Sequence, residues 1–235
     1  MGGLLYKNFF QYRWELLVIA VLQFIATLTV ILAAMSPQTK GDDMVMTSVL
    51  MYAMVFFVLG FFESGMFSPD EKRTAMSFII SAPTGAKQHI GSKYLSVLLI
   101  YLSVLTCCFL TDAAAVAIKG DATISVTLPL IIIFSGALFL EALSLPFMVY
   151  FGSAQGTNAK GTTLLVLCYI LGMYILFGDI SMFLEDNFLA AVKQFFSQGN
   201  IMLMLGIFPY IAMGLYYLSF RISVLLFRKG ADNYD

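Results

Sequence analysis

Apolar residues dominate six stretches of the chain, most of them long enough to cross a membrane. A helix needs about 20 such residues to span the ~30 Å hydrocarbon core of a bilayer. The fifth stretch is short and needs local thinning or help from its neighbours, whereas the sixth can tilt or project. The pattern predicts an all-α integral membrane protein with six transmembrane helices. The stretches are Leu16–Met35, Met44–Phe62, Tyr94–Ile118, Ser125–Phe151, Thr162–Gly178 and Asn200–Phe227.

The composition points to the same class. Hydrophobic residues make up 60% of the 235 residues and charged residues 11%, against about 25% charged in an average soluble domain. This excludes a soluble enzyme, a nucleic-acid-binding module and a disordered tail. The three cysteines fall in apolar runs, so we expect small buried side chains and not disulfides or metal ligands; no metal site is predicted. They are Cys107, Cys108 and Cys168.

The distribution of lysine and arginine predicts the orientation. With both termini in the cytoplasm, ten of the thirteen cations lie inside. We therefore expect a multi-pass protein with both termini cytoplasmic. The three outside cations are Lys40, Lys119 and Lys193; the ten inside are Lys7, Arg13, Lys72, Arg73, Lys87, Lys93, Lys160, Arg221, Arg228 and Lys229.

Residues 4–15 precede the first span and have an amphipathic pattern. Four apolar side chains share one helical face, while Lys7, Asn8 and Gln11 lie elsewhere. This pattern predicts an interfacial helix on the inner membrane surface, the alternative being a plain juxtamembrane tail. The four apolar residues are Leu5, Phe9, Tyr12 and Leu16.

The cytoplasmic loop 63–93 contains a strong helix-start signal. Ser68 can cap the amide of Glu71, and Glu71 can reach back. Pro69 suits the first helical position, and Asp70 complements the helix dipole. These residues predict a short amphipathic helix that ends near Ser81, before a turn at Pro83, Thr84 and Gly85. Its repeating face contains Lys72, Ala75, Met76, Ile79 and Ile80.

Residues 179–199 carry a second amphipathic pattern, on the predicted outer side. An apolar stripe opposes a face with Glu185, Asp186 and Lys193. The segment is not apolar enough to span, so we expect a helix on or in the outer leaflet. The stripe contains Leu184, Phe188, Ala191, Val192, Phe195 and Phe196.

No catalytic set emerges from the sequence. The chain has one histidine, His89, in a basic loop, where we expect a solvated side chain. The segment Gly156–Thr162 resembles a phosphate loop only superficially, because Lys160 precedes the second glycine and the segment joins two membrane helices. We therefore expect no enzyme activity and no nucleotide site in this chain.

Two acids lie inside predicted spans, Asp112 and Glu141. Intramembrane acids are costly and by default candidate functional residues. Glu141 lies near mid-span, five residues before Pro146, and no intramembrane lysine or arginine is expected as its partner. Asp112 lies near the outer end of its helix, where an interfacial acid without a direct role is the favoured interpretation.

A sequence pattern in the cytoplasmic loop resembles that of ABC-2-type exporter membrane subunits. It consists of an acid, a charged cluster, an S-x-P turn and an S-K-Y return to the membrane. The order of surface helix and six spans is also similar. Among these exporters the chain looks most like those of phenol-soluble modulins and related antimicrobial peptides. The pattern is Phe62-Glu63, Asp70-Glu71-Lys72-Arg73, Ser81-Ala82-Pro83 and Ile90-Gly91-Ser92-Lys93-Tyr94.

The resemblance implies a bacterial plasma-membrane exporter subunit forming one domain over residues 1–235. It implies a second membrane subunit, identical or paralogous, and two cytoplasmic ATPases that bind the ATP and Mg²⁺. Residues 69–81 would be the coupling helix seated on the ATPase, and the fifth span with the outer helix would form the exit side. The implied coupling residues are Ser68, Pro69, Asp70, Glu71, Lys72, Arg73, Met76, Pro83 and Lys93.

Peptide cargo follows from the resemblance alone. The residues themselves leave three other classes open: a membrane immunity protein that sequesters a peptide, an ion-coupled carrier using Glu141 and Asp112, and a membrane-embedded enzyme. The capped cytoplasmic helix favours the exporter over all three.

Overall fold

The computed structural model describes residues 2–61, 85–177 and 199–230. These residues contain seven α-helices and a short 3-10 helix, Ala122–Ile124, and none of them forms a strand. The predicted coupling helix and outer-surface helix lie outside the described residues. The helices are α1 Gly2–Gln11, α2 Arg13–Met35, α3 Gly41–Leu59, α4 Gly85–Lys119, α5 Thr127–Phe151, α6 Ser153–Phe177 and α7 Gly199–Gly230.

Five segments of the described helices are long and apolar enough to cross a membrane, which confirms the all-helical membrane class. The fifth predicted span, Thr162–Gly178, falls mostly in α6, and its last residue lies outside the described part. Its crossing of the membrane, and with it the count of six, stays a prediction. The five segments are Arg13–Met35, Gly41–Leu59, Lys87–Lys119, Thr127–Phe151 and Gly206–Phe227.

Helices α1 and α2 run parallel to α4, held by polar contacts at a nearly constant sequence separation. Polar side chains join membrane helices well because the bilayer offers them no other partner. The ladder therefore fixes both the direction and the register of α2 against α4. Its contacts are Asn8 with Ser92 and Ser96, Gln23 with Cys108, Thr27 with Thr111, and Lys119 with the carbonyls of Ser36 and Thr39.

Helix α5 lies at the centre of the described bundle and packs against α3, α4, α6 and α7. Leu130, Leu138 and Leu145, fully buried, line it at near-heptad spacing. Helix α7 also contacts α4, where the Tyr94 hydroxyl lies 2.8 Å from the Ser219 hydroxyl and 2.7 Å from that of Ser223. Helices α5 and α7, both antiparallel to α4, thus form with it the core that positions the candidate site.

The amphipathic N-terminal segment forms α1, which stops at Gln11, before α2 begins at Arg13. Tyr12 is buried and Phe9 packs against the core of the protein. Asn8, which is predicted to lie off the apolar face of Phe9 and Tyr12, is also buried. Its amide donates to the Ser92 and Ser96 hydroxyls on α4. Contact of α1 with the membrane surface stays a prediction.

Helix α4 begins at Gly85, earlier than the Tyr94 start expected from hydropathy. The polar residues before Tyr94 therefore belong to a helix and not to a loop. His89, expected to be solvated, is instead 5% exposed, and its ring centroid lies 6.2 Å from that of Phe227. The prediction was wrong because helical geometry turns this position towards α7.

Candidate functional site

Glu141 is buried in α5 and surrounded by partners from other helices. Its side chain is 1% exposed. The Tyr101 hydroxyl of α4 donates to Oε1 at 2.8 Å, and the Lys160 ammonium of α6 donates to the same oxygen. Ser144, one turn further along α5, lies 3.4 Å from Oε2. The acid is therefore held by charge and hydrogen bonds from three helices.

Lys160 also connects this acid to the end of α3. Its side chain is 4% exposed, and Nζ donates to the carbonyl of Gly60 at 2.7 Å. Gly60 caps the C-terminus of α3, where unpaired carbonyls favour a nearby cation. The group formed by Gly60, Tyr101, Glu141 and Lys160, here called the buried ion-pair cluster, thus joins α3, α4, α5 and α6.

The expectation that Glu141 has no cationic partner in the membrane was wrong. The polar run 153–161 is typical of a loop, and a loop at this position would place Lys160 in the cytoplasm. In the structure this run is the start of α6. The pairing can be recognised from the spacing of the two residues around the turn. In an antiparallel helical hairpin that turns at Gly152, positions 141 and 160 lie at similar distances from the turn.

Two glycines build that hairpin. Gly152 is the one residue between α5 and α6. Its φ of 95° belongs to a backbone region that glycine adopts at little cost. At Gly156, an added Cβ would lie 2.8 Å from the Met148 nitrogen and 2.9 Å from its Cα. This close approach brings α6 against α5, and Lys160, four residues on, shares the face of Gly156.

A cavity of about 230 Å³ lies beside the buried ion-pair cluster. Its walls are mostly apolar, with Glu141 and Lys160 as the charged groups among the lining residues. A mostly apolar cavity with a few converging polar groups is typical of binding pockets. Because each charge neutralises the other, the cluster suits a positioning role better than that of a free acid. The apolar lining includes Phe56, Phe57, Ile133, Ala137, Leu140 and Leu164.

Asp112 lies away from this cluster and holds the start of α5. Its Oδ1 accepts the amide of Val126 at 3.1 Å, and Oδ2 accepts the Ser125 hydroxyl at 2.9 Å. The Thr127 hydroxyl lies 3.3 Å from Oδ2. A carboxylate at a helix N-terminus is favoured by the free amides and the dipole there. The geometry is that of a cap supplied by α4 to α5.

The predicted coupling residues lie outside the described residues, with one exception. Lys93 is described in α4 and is 2% exposed. Its assignment as a coupling residue stays a prediction, as do those of the other eight, which lie within residues 62–84: Ser68, Pro69, Asp70, Glu71, Lys72, Arg73, Met76 and Pro83.

The described cysteines are free thiols. Cys108 is buried against Gln23, as expected, whereas Cys107 and Cys168 are exposed on helices that span or are predicted to span. The expectation of burial was wrong for these two because apolar surface here faces outward. No group of three or more metal-binding side chains is found within the described ranges.

The fold defines a multi-pass α-helical membrane protein whose helices are joined by buried polar contacts. The model of the ABC-2 family transporter proteins matches residues 3–228. The chain therefore belongs to the ABC-2 transporter family, as a transmembrane subunit of an ABC transporter that works with an ABC ATPase. No curated protein and no solved structure matches the chain.

Proposed function

We propose that this chain is the membrane subunit of a bacterial exporter that moves amphipathic or hydrophobic peptides outward. The observation that carries the proposal is the family match over nearly the whole chain. Peptide cargo is supported by the resemblance of the chain as a whole, with six predicted spans and no nucleotide-binding motif, to the membrane subunits of peptide exporters. Two such subunits, identical or paralogous, form the path in the plasma membrane, and two ATPases bind ATP and Mg²⁺ beneath them.

Force enters the membrane subunit through the loop that joins α3 to α4. Residues Pro69–Ser81 form the coupling helix in this proposal, with Asp70, Glu71, Lys72 and Arg73 facing the ATPase. A capped and charged helix is a rigid lever, and charged groups give it a specific seat on its partner. The loop follows directly from the end of α3.

The buried ion-pair cluster transmits that movement in our proposal. Gly60 is the last capping residue of α3 before the loop, and its carbonyl is held by Lys160. Lys160 in turn holds Glu141, which receives the Tyr101 hydroxyl. A displacement of α3 therefore also moves α4, α5 and α6, because polar groups of all four helices belong to the buried ion-pair cluster.

The test is reversal of all four charges at residues 70–73, in membranes that contain the cognate ATPase. We expect the variant to lose ATPase co-purification and peptide export while keeping the thermal stability of the wild-type spans. A matched control reverses Lys40 and Asp43, at the predicted opposite end of the bundle, and retains both activities.

Normal ATPase binding and export by the charge-reversed variant would refute the coupling-helix assignment. A wild-type chain that purifies without ATPase yet binds peptide would instead support the sequestering protein. Proton-dependent uptake that requires Glu141 and no ATPase would support the ion-coupled carrier.

A further inference from the structure

A second cavity, of about 200 Å³, lies where the start of α4 meets the last third of α7. Two cations and three apolar side chains line it. The Tyr94 bonds to Ser219 and Ser223 show that these parts of α4 and α7 lie at the same end of the bundle. The lining residues are Lys87, Phe220, Arg221, Val224 and Leu225.

The two cations of this cavity are exposed and lie close to the end of the bundle. Lys87 is in the first turn of α4, and Arg221 lies nine residues before the end of α7, about 14 Å at 1.5 Å per residue. Neither forms an ion pair with any residue in the described ranges. The cavity thus presents two cationic side chains near the end of the bundle that is predicted to face the cytoplasm.

The apolar wall of the cavity is preorganised. Phe220 packs against the core, and its ring centroid lies 5.5 Å from that of Tyr94 in an edge-on contact. Val224 follows one turn later and is also partly buried, whereas Leu225 is exposed. A fixed aromatic floor beside exposed aliphatic surface suits an acyl chain.

We propose that this cavity binds one anionic phospholipid. Lys87 and Arg221 hold the phosphate, with Arg221 able to donate two parallel hydrogen bonds. Phe220, Val224 and Leu225 contact the upper part of an acyl chain. Basic pockets between helices at a negatively charged leaflet are typical lipid headgroup sites. The bound lipid joins the start of α4 to α7, and this site does not depend on the cargo or on coupling through residues 69–81.

The test is native mass spectrometry of the purified full chain titrated with phosphatidylglycerol or phosphatidylcholine. We expect the wild type to retain one phosphatidylglycerol per chain and to bind it at least about tenfold more tightly than phosphatidylcholine. Lys87→Gln with Arg221→Gln should weaken phosphatidylglycerol binding about tenfold or more, since each cation near an anionic surface contributes appreciably. Phosphatidylglycerol should also raise the Tm of the wild type more than that of this variant.

Two further variants distinguish lipid binding in the cavity from non-specific attraction of anionic lipid to the positively charged side chains. Lys7→Gln with Arg13→Gln removes the same charge from the same predicted side and should leave the tight site intact. Val224→Trp fills the cavity while keeping both cations, and should weaken binding. Equal losses in the Lys7 and Arg13 control, or unchanged binding after loss of Lys87 and Arg221, would overturn the proposal. Inorganic phosphate that binds as tightly as phosphatidylglycerol would assign the site to a soluble anion instead.

Discussion

At the residue scale, Glu141 and Lys160 form a buried ion pair that joins α5 to α6. Both are nearly inaccessible, and either one alone would be a buried charge in a region of low dielectric. Removing one partner of such a pair typically costs about 3–5 kcal/mol, whereas replacing both with apolar side chains is often close to neutral. Variants of this pair therefore test whether the two side chains are in contact, and not how much the pair adds to the net stability of the fold.

We predict that Lys160→Met alone lowers unfolding stability by about 3 kcal/mol or more, because Glu141 then lacks its cation. Glu141→Leu combined with Lys160→Met should recover most of that loss. The test is a double-mutant cycle, in which the thermal unfolding of the wild type, both single variants and the double variant is measured in detergent. Additive losses in the double variant would contradict the pairing. The proposed transmission through Gly60 predicts that the double variant, although stable, exports peptide poorly.

A second residue-scale prediction concerns Asp121, in the exposed turn between α4 and α5. The amide and hydroxyl of Thr123 each donate to its carboxylate at 2.8 Å, and these bonds hold the pKa of Asp121 below its usual value. A depressed folded-state pKa contributes stability above the unfolded pKa, and the contribution is lost as pH falls through the folded value.

Replacing Asp121 with Ala should therefore speed hydrogen exchange of the Thr123 amide at neutral pH. The difference from the wild type should persist at about pH 4, the ordinary aspartate pKa, and shrink only at lower pH, as the pH falls through the depressed pKa of Asp121. Exchange measured across this range by mass spectrometry tests the prediction. A difference that is constant with pH would show that the carboxylate is not the group responsible.

At the element scale, the hairpin of α5 and α6 depends on one close approach. Alanine is favoured over glycine in a helix by about 1 kcal/mol. At Gly156, however, a Cβ would collide with Met148, including its backbone nitrogen at 2.8 Å. Gly161, five residues further along the same helix, has open space around its Cβ position. The two glycines thus form a matched pair that separates propensity from packing.

We predict that Gly156→Ala destabilises the protein by about 1–3 kcal/mol, the usual range for overpacking. Gly161→Ala should be neutral or slightly stabilising. The Tm of each variant in the same detergent tests this difference. Equal Tm values for the two variants would show that α5 and α6 do not approach closely at Gly156.

At the scale of the whole molecule, the parallel arrangement of α2 and α4 organises one side of the bundle. The hydroxyl oxygens of Thr27 and Thr111 are 3.1 Å apart. In a background where the three native cysteines are alanine, Thr27→Cys with Thr111→Cys should form a disulfide on mild oxidation. Thr27→Cys with Thr106→Cys is the control, because Thr106 is exposed on another face of α4. Equal cross-linking of both pairs, measured by thiol labelling, would contradict this packing.

Hydropathy alone was enough to predict the helical membrane class and the approximate bounds of most helices. The start of α4 was missed by nine residues because its first turns are polar, and length and hydropathy do not report a helix that extends beyond the apolar core. The same reason hid the start of α6. In both places a polar side chain bonds to a neighbouring helix, Ser92 of α4 to Asn8 and Lys160 of α6 to Glu141. No local sequence pattern encodes such contacts.

The sequence by itself determined that this chain is a multi-pass helical membrane protein, because a bilayer leaves no other arrangement for such long apolar runs. It also marked Glu141 and Asp112 as costly acids that need partners. Only the tertiary structure decided which partners they have: Lys160 for Glu141, and the Val126 amide and Ser125 hydroxyl just before α5 for Asp112. Partner choice depends on register between helices, and that register is set by close approaches such as Gly156 against Met148.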